Sequence, residues 1–401
     1  MNTIFRSPLT DGDLRRRASI FTILDEIGEA LDLTETQFER ARQSYNAVGE
    51  WISGSDDPIL VKTLVYLQGS SALGTAVKPI GRDEFDVDLI CFCAAVSVGI
   101  SPTQLKAAVG NRLREHKTYA PILQEKKRCW RLDYKGDFHL DLSPTIANPR
   151  CHNDGELVPD RKLREWHPTN PRAYKAKFDE RAALKPRLTR RMVAMQRDQA
   201  TVEPFPAYQS AKGILRRTVQ LLKRHRDLFF EHNTDEIAPI SVVITTLAMR
   251  AYEYCIYRHV FEDELDVLVE TIRMMPHFIE RPIIDGQQAY AVWNETTQGE
   301  NFAEGWNKDA RKAKAFYDWH ENALADFEAL RDGVGQDTLA LNMQRSFGDR
   351  VANNVLEKHI STVSGARKTN SLLVAPTIGL TTTKAAAATT AVPSNTFFGD
   401  Q

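Results

Sequence analysis

The stretch QGSSALGTAVKPIGRDEFDVDLI, Gln68 to Ile90, carries a turn at one end and a strand at the other. Ahead of it Thr63-Leu-Val-Tyr-Leu67 reads as a buried strand, so Gly69 and Ser70 stand at a strand exit. Backbone N–H groups and a hydroxyl can hold phosphate there, with Ser70 opening a helix N-terminus and Gly69 letting the anion approach the main chain. Gln68, Gly69 and Ser70 are therefore the expected triphosphate contacts. Sixteen residues after Ser70 comes Asp86-Val-Asp88. Residues two apart on a strand share a face, so both carboxylates reach one site while Phe85, Val87 and Leu89 face a core. Carboxylates that close repel each other, and a divalent cation removes the repulsion. Taken alone, D-x-D is more often the polar face of an edge strand.

A third acid changes the balance. In Asp137-Phe-His-Leu-Asp141-Leu-Ser143 the odd positions are polar and Phe138, Leu140 and Leu142 are apolar. This period-two pattern puts Asp141 on a polar face beside His139. Cys129 to Tyr134 and Asp137 to Ser143 flank Lys135-Gly136, read as a two-residue hairpin turn. Acids from two strands suit two-metal phosphoryl transfer, with one Mg²⁺ (Mn²⁺ also fits) at the attacking hydroxyl and one at the leaving pyrophosphate. Asp86 and Asp88 are expected to bridge both ions and Asp141 to complete the hydroxyl side. Asp137 is the rival acid, but its place at the turn predicts exposure. His139 is expected to support the ligands rather than to be one.

Around this centre, Leu14 to Leu31 and Phe38 to Trp51 recur at helical spacing, the second behind a Thr34–Gln37 capping box. Ser101 to Thr118 also reads as helix. Strands and helices do not repeat as βαβ units, which predicts an α+β fold with a mixed sheet. After Pro206, long helices follow over Tyr208–Phe230, Ile240–Val260 and Ala310–Arg331. The expected division is a catalytic lobe over 1–205, a helical lobe over 206–368 and an Ala/Thr-rich tail over 369–401. That tail carries little charge and few large apolar residues, a composition that predicts disorder.

The 401 residues carry a net charge of −1, which excludes a bulk nucleic-acid binder. Arg161 to Arg226 holds 18 Lys or Arg against 5 Asp or Glu, so a local polyanion site is compatible with the acidic remainder. Within it, the Arg187 to Arg197 cluster is either such a contact or a solvated helix face. The five cysteines include no C-x-x-C pair and read as reduced thiols. No apolar run approaches the ~20 residues that span a membrane, and no signal-peptide core is legible. A cytoplasmic protein is expected.

The Gly-Ser turn spaced to D-x-D and a strand-borne aspartate resembles the polymerase-β nucleotidyltransferase superfamily. Leu221-Leu-Lys-Arg-His-Arg-Asp227, Pro239 to Ala248 and Glu300-Asn-Phe-Ala-Glu-Gly-Trp306 narrow the resemblance to the bacterial cGAS/DncV-like nucleotidyltransferases of antiphage signalling. It covers roughly residues 10 to 330. It implies a two-lobed enzyme with its site between the lobes, making cyclic oligonucleotide messengers from ATP and other nucleoside triphosphates; an adenine-containing cyclic trinucleotide or dinucleotide is expected. By position, Lys223 and Ser241 would contact the triphosphate. The same resemblance implies a regulatory partner, HORMA-like or ubiquitin-transfer-like, on a tail ending in Phe397-Phe398; no sequence-specific nucleic acid or membrane is expected. The competing readings are template-independent transfer to RNA ends or protein, and a catalytically silent nucleotide or nucleic-acid binder.

Overall fold

The computed structural model describes residues 9–81, 84–160, 165–189, 212–284, 286–333 and 335–368, with three short backbone segments beyond them. Helices α1 (Asp11–Ala30) and α2 (Glu35–Ser53) each begin at a threonine capping box, Thr10 with Asp13 and Thr34 with Gln37. Strand β1 (Thr63–Leu67) leads into a five-residue helix, α3 (Gly69–Leu73), and β2 (Phe85–Cys93) follows. Helix α4 (Pro102–Glu115) precedes β3 (Leu123–Glu125), β4 (Trp130–Tyr134) and β5 (Phe138–Ala147). Strands β6 (Glu156–Asp160) and β7 (Glu165–Thr169) complete a seven-stranded sheet and run into α5 (Pro171–Ala182).

The sheet runs β1-β2-β5-β4-β3, with β6 on β5 and β7 on β6. Only the central β2–β5 pair is parallel, and it sets Asp88 opposite Asp141. The expected alternation is present: Phe85, Val87, Leu89, Phe138, Leu140 and Leu142 are buried in one core with Val48 and Ile52 of α2 and Leu105, Val109 and Leu113 of α4. The other face carries the acids. The fold is α+β, as the sequence predicts.

The hairpin differs by one residue from its expected form. Tyr134 pairs with Phe138, so the loop is three residues long, with the Asp137 N–H donating to the Tyr134 carbonyl at 3.0 Å. Gly136 takes a positive φ of 81°, a conformation that costs glycine nothing.

A second core belongs to the helices α6 (Gly213–Phe229), α7 (Ser241–Arg258), α8 (Glu264–Met274), α9 (Glu304–Lys308), α10 (Ala310–Asp332), α11 (Gln336–Phe347) and α12 (Asp349–Lys368). Helix α1 belongs with them and not with the sheet. Its Ile20, Leu24, Ile27 and Leu31 lie in the helical core, and at Gly28 a Cβ would come within 2.7 Å of the Arg217 side chain. Arg217, buried on α6, donates to Asp25 at 2.5 Å and to Asp32 at 3.3 Å. Tyr174 and Phe178 of α5 join the same core, so a division at residue 206 does not follow the packing. An apolar helix face reads the same whichever partner covers it, which is why periodicity alone placed α1 by sequence order.

In the tail, Leu373–Ala375, Gly379–Thr381 and Thr390–Ala391 pair as a small antiparallel sheet, where disorder throughout was expected. Its other residues, Phe397 and Phe398 included, lie outside the described residues, as do Arg190 to Arg197 of the basic cluster. Among the described residues no helix is long and apolar enough to cross a membrane.

The helix covering the catalytic sheet is seated by a glycine. A Cβ at Gly110 of α4 would stand 2.2 Å from the Trp130 ring, which is buried and donates to the Lys106 carbonyl at 2.8 Å. Alanine in a helix interior gains ~1 kcal/mol over glycine, while overpacking a core costs about 1–3 kcal/mol. Gly110→Ala is therefore expected to lower the urea midpoint despite the better helix former; an unchanged or higher midpoint would show that the ring yields freely.

Candidate active site

The polar face of the β2–β5 pair gathers the three expected acids. Asp86 is exposed, Asp141 is mostly covered, and Asp88, opposite Asp141, is half-buried and lines a cleft. Burial first, and then the neighbouring Asp141 and Asp86 carboxylates, push the Asp88 carboxyl up to about 7; Arg131 and Lys223 pull in the other direction. Gly69 makes the crowding possible. It has a φ of +61°, and a Cβ there would sit 2.5 Å from Asp88 Oδ2. The Gln68 N–H donates to the Asp88 carbonyl at 2.9 Å, extending the β1–β2 ladder to the turn.

Beside this triad lies a network the sequence reading only touched. His139 Nδ1 is 3.2 Å from Asp86 Oδ1, and its Nε2 meets Glu84 at 2.5 Å and Asp133 at 3.7 Å. Arg131 reaches both Asp141 and Asp86 from β4. Arg131 was missed for a definite reason. A two-residue turn would set Tyr134 against Asp137 and Arg131 against apolar Leu140; the real three-residue turn sets Arg131 against Asp141. Asp137 takes no part: half-buried where exposure was expected, it pairs with the exposed Arg40 of α2 at 3.2 Å.

The cleft has a volume of about 870 Å³ between the sheet and the helices. Gly69, Ser70, Asp86 and Asp88 line one wall, and Lys223, Arg226, Asp227, Ser241 and Thr245 the other. Neither Gln68 nor Asp141 is among the lining residues, and α3 begins at Gly69, one residue before the expected start. Ser241 is the first residue of α7, with Ile240 as its N-cap, and its Oγ accepts from Arg226 at 3.0 Å.

Helix α6 holds the loop after α3 by its backbone oxygens. Gln220 donates to the Ala76 carbonyl at 2.8 Å, Lys223 to the Thr75 carbonyl and hydroxyl at 3.1 Å, and Arg224 to the Lys78 carbonyl at 2.7 Å. Spacing of three and four residues places these side chains on one helix face. Lys223 is thus buried on the cleft wall, and burial pulls its ammonium down to about 7, with Arg226 adding to the effect and Asp227 and Asp88 opposing it.

The donor set also fits a divalent metal. Hard carboxylate oxygens of Asp86, Asp88 and Asp141 share one face of the sheet, and beside them Glu84, Asp133 and His139 bring ligand atoms within 4.8 Å of one another.

A family model described as the Second Messenger Oligonucleotide or Dinucleotide Synthetase domain matches residues 20–182. The c-di-GMP synthase of Roseivirga ehrenbergii is 30% identical over 381 residues, covering 94% of this chain and 96% of its own. The chain belongs to the cGAS/DncV-like nucleotidyltransferases. A second member, the cyclic dinucleotide synthase CdnG of Bradyrhizobium diazoefficiens, is 24% identical over 350 residues, 82% of this chain and 80% of its own. The solved CdnG, in complex with GTP, superposes with a TM-score of 0.64 at 21% identity, over 84% of this chain and 98% of that one. The Escherichia coli CdnC, solved with a HORMA protein, gives 0.57 at 12% identity over 82% of this chain and 96% of that one. These two likenesses carry the fold, which is that of the cGAS/DncV-like enzymes.

The protein is accordingly a cyclic oligonucleotide synthase acting on nucleoside triphosphates, in a family that uses divalent metal. The expected adenine is only partly supported: the relative aligned along nearly the whole chain is named for guanine alone.

The buried lysine makes this cleft testable without turnover. At pH 8 the Lys223 amine of the free protein is mostly neutral, and a bound triphosphate favours its charged form. Binding of a non-hydrolysable GTP analogue at pH 8 is expected to take up about one proton, read by calorimetry in buffers of different ionisation enthalpy. The uptake should shrink at pH 6 and vanish in Lys223→Met. Equal uptake in that variant would place the lysine away from the phosphates.

Proposed function

We propose that the chain condenses two molecules of GTP into a cyclic guanine dinucleotide, with Asp86, Asp88 and Asp141 as its metal-binding and catalytic acids. The observation that carries the catalytic part is the register of β2 on β5, which sets Asp88 against Asp141 with Asp86 one step along the same face. The guanine part rests on the relationship to the Roseivirga c-di-GMP synthase, which spans 94% of the chain.

Two magnesium ions held by these carboxylates would lower the pKa of the attacking hydroxyl and offset charge on the leaving pyrophosphate. The chain's own groups do the rest. Gly69 brings the turn against Asp88, and Ser70 lines the cleft from the sheet side, where its hydroxyl would meet the phosphates. Lys223 neutralises phosphate charge from α6, and Ser241 adds a hydroxyl at the start of α7, where helix N–H groups favour an anion. Asp141, on the hydroxyl side, accepts the proton of the attacking ribose. A cyclic product requires two such transfers, so the first dinucleotide must turn round in the cleft before the second.

The assignment separates acids that differ only in position. Asp141→Asn and Asp88→Asn are each expected to cut turnover of GTP by at least about 10³-fold, consistent with loss of a metal-holding group. Asp137→Asn should stay within about threefold, because its partner is an exposed arginine. Labelled GTP with Mg²⁺ should give a phosphatase-resistant product without added ATP. Strict dependence on ATP would overturn the guanine reading, and an inactive Asp137→Asn beside an active Asp141→Asn would overturn the choice of acid.

A further inference from the structure

Arg131 on β4 lies directly opposite Asp141 on β5. Its Nε donates to Asp141 Oδ1 at 2.7 Å, and its Nη2 donates to Asp141 Oδ2 at 2.8 Å and to Asp86 Oδ1 at 3.0 Å. Its Nη1 stands 3.2 Å from His139 Nδ1. One guanidinium therefore spans β2 and β5 and takes both oxygens of one triad acid and one oxygen of another. The charge cannot be removed, since a guanidinium keeps its proton at any working pH. It can only be moved.

The two attachments are unequal. Asp141 is gripped in a bidentate fork and its side chain is only 14% exposed; Asp86 receives a single bond and is 54% exposed. Forked, covered pairs are stronger than single, hydrated ones. The Asp86 contact is thus the one that yields first. Arg131 itself is 21% exposed, so a route to water is open along the sheet surface.

We propose that Arg131 is a resident counter-ion that holds Asp86 and Asp141 together before metal arrives and competes with the divalent ion for Asp86. Metal entry swings the guanidinium off Asp86 while its fork on Asp141 keeps that carboxylate oriented. Arg131 is a positioning residue, and the inference rests on the reading of Asp86, Asp88 and Asp141 as the metal carriers. Its consequence is that the nucleotide-free protein binds metal more weakly than three converging carboxylates would by themselves.

The test is direct Mn²⁺ binding to the nucleotide-free protein, followed by the electron paramagnetic resonance of free Mn²⁺, together with melting temperatures with and without the ion. Arg131→Met is expected to bind Mn²⁺ at least about tenfold more tightly, because a charge-assisted competitor is gone. It should melt lower than the parent without metal and gain more from Mn²⁺. Arg131→Lys should fall between the two, since an ammonium cannot fork across a carboxylate and reach a second one; it carries the comparison should Arg131→Met fail to fold. A purely structural arginine would lower both melting temperatures alike and leave Mn²⁺ affinity unchanged. Unchanged or weaker affinity in these variants, with Asp88→Asn still abolishing binding, overturns the counter-ion role and leaves the metal assignment standing. Undiminished Mn²⁺ binding in Asp88→Asn overturns the metal assignment itself.

Discussion

Mutual repulsion among Asp86, Asp88 and Asp141 is the constraint around which the rest of the structure is arranged. The parallel pairing of β2 with β5 forces these acids together, and burial lifts the Asp88 carboxyl to about 7. The strands are held by the opposite face, where Val87, Leu89, Leu140 and Leu142 are buried under α2 and α4. Apolar burial stabilises at about 25 cal/mol per Å², so a continuous core can sustain a local electrostatic cost of a few kcal/mol. The one positive group forked into the cluster, Arg131, lowers that cost without removing it.

The second lobe is joined to this centre through polar side chains as well as through Leu73 of α3, which is buried in the helical core. Gln220, Lys223 and Arg224 hold the carbonyls of Ala76, Thr75 and Lys78, and Arg216 holds that of Leu73. A loop without a ladder partner has its carbonyls satisfied by one helix face, and that ties the Gly69 turn to α6. Of the four helix side chains that hold this loop, Lys223 also lines the cleft. Lys223 serves in both ways, buried against Thr75 and drawn down towards neutrality, so it is stored close to where a polyanion would recharge it.

Much of this was legible because alternation in a half-buried strand is a strong signal. Period two put Asp86 and Asp88 on one face of their strand and Asp141 on the polar face of another, and the β2–β5 register sets Asp88 opposite Asp141. Residues whose role depends on pairing across elements were not legible. The turn at Lys135-Gly136 was read one residue short, which hid Arg131 behind Asp141. Helix α1 carries an apolar stripe that fits any partner, and its packing in the helical core, with the Gly28–Arg217 contact and the Arg217–Asp25 bond, shows which one it has. Gln68 was given a phosphate contact by adjacency, whereas the structure shows its N–H in the ladder on Asp88.

Crystals soaked with Mn²⁺ and a non-hydrolysable GTP analogue test the central claim most directly, through the anomalous scattering of the ion. The account requires Mn²⁺ peaks at coordination distance, about 2.0–2.3 Å, from carboxylate oxygens of Asp86, Asp88 and Asp141, with the triphosphate of the analogue beside Ser70 and Lys223. Mn²⁺ bound instead on Glu84, Asp133 and His139 alone, with the three aspartates unligated, would contradict it.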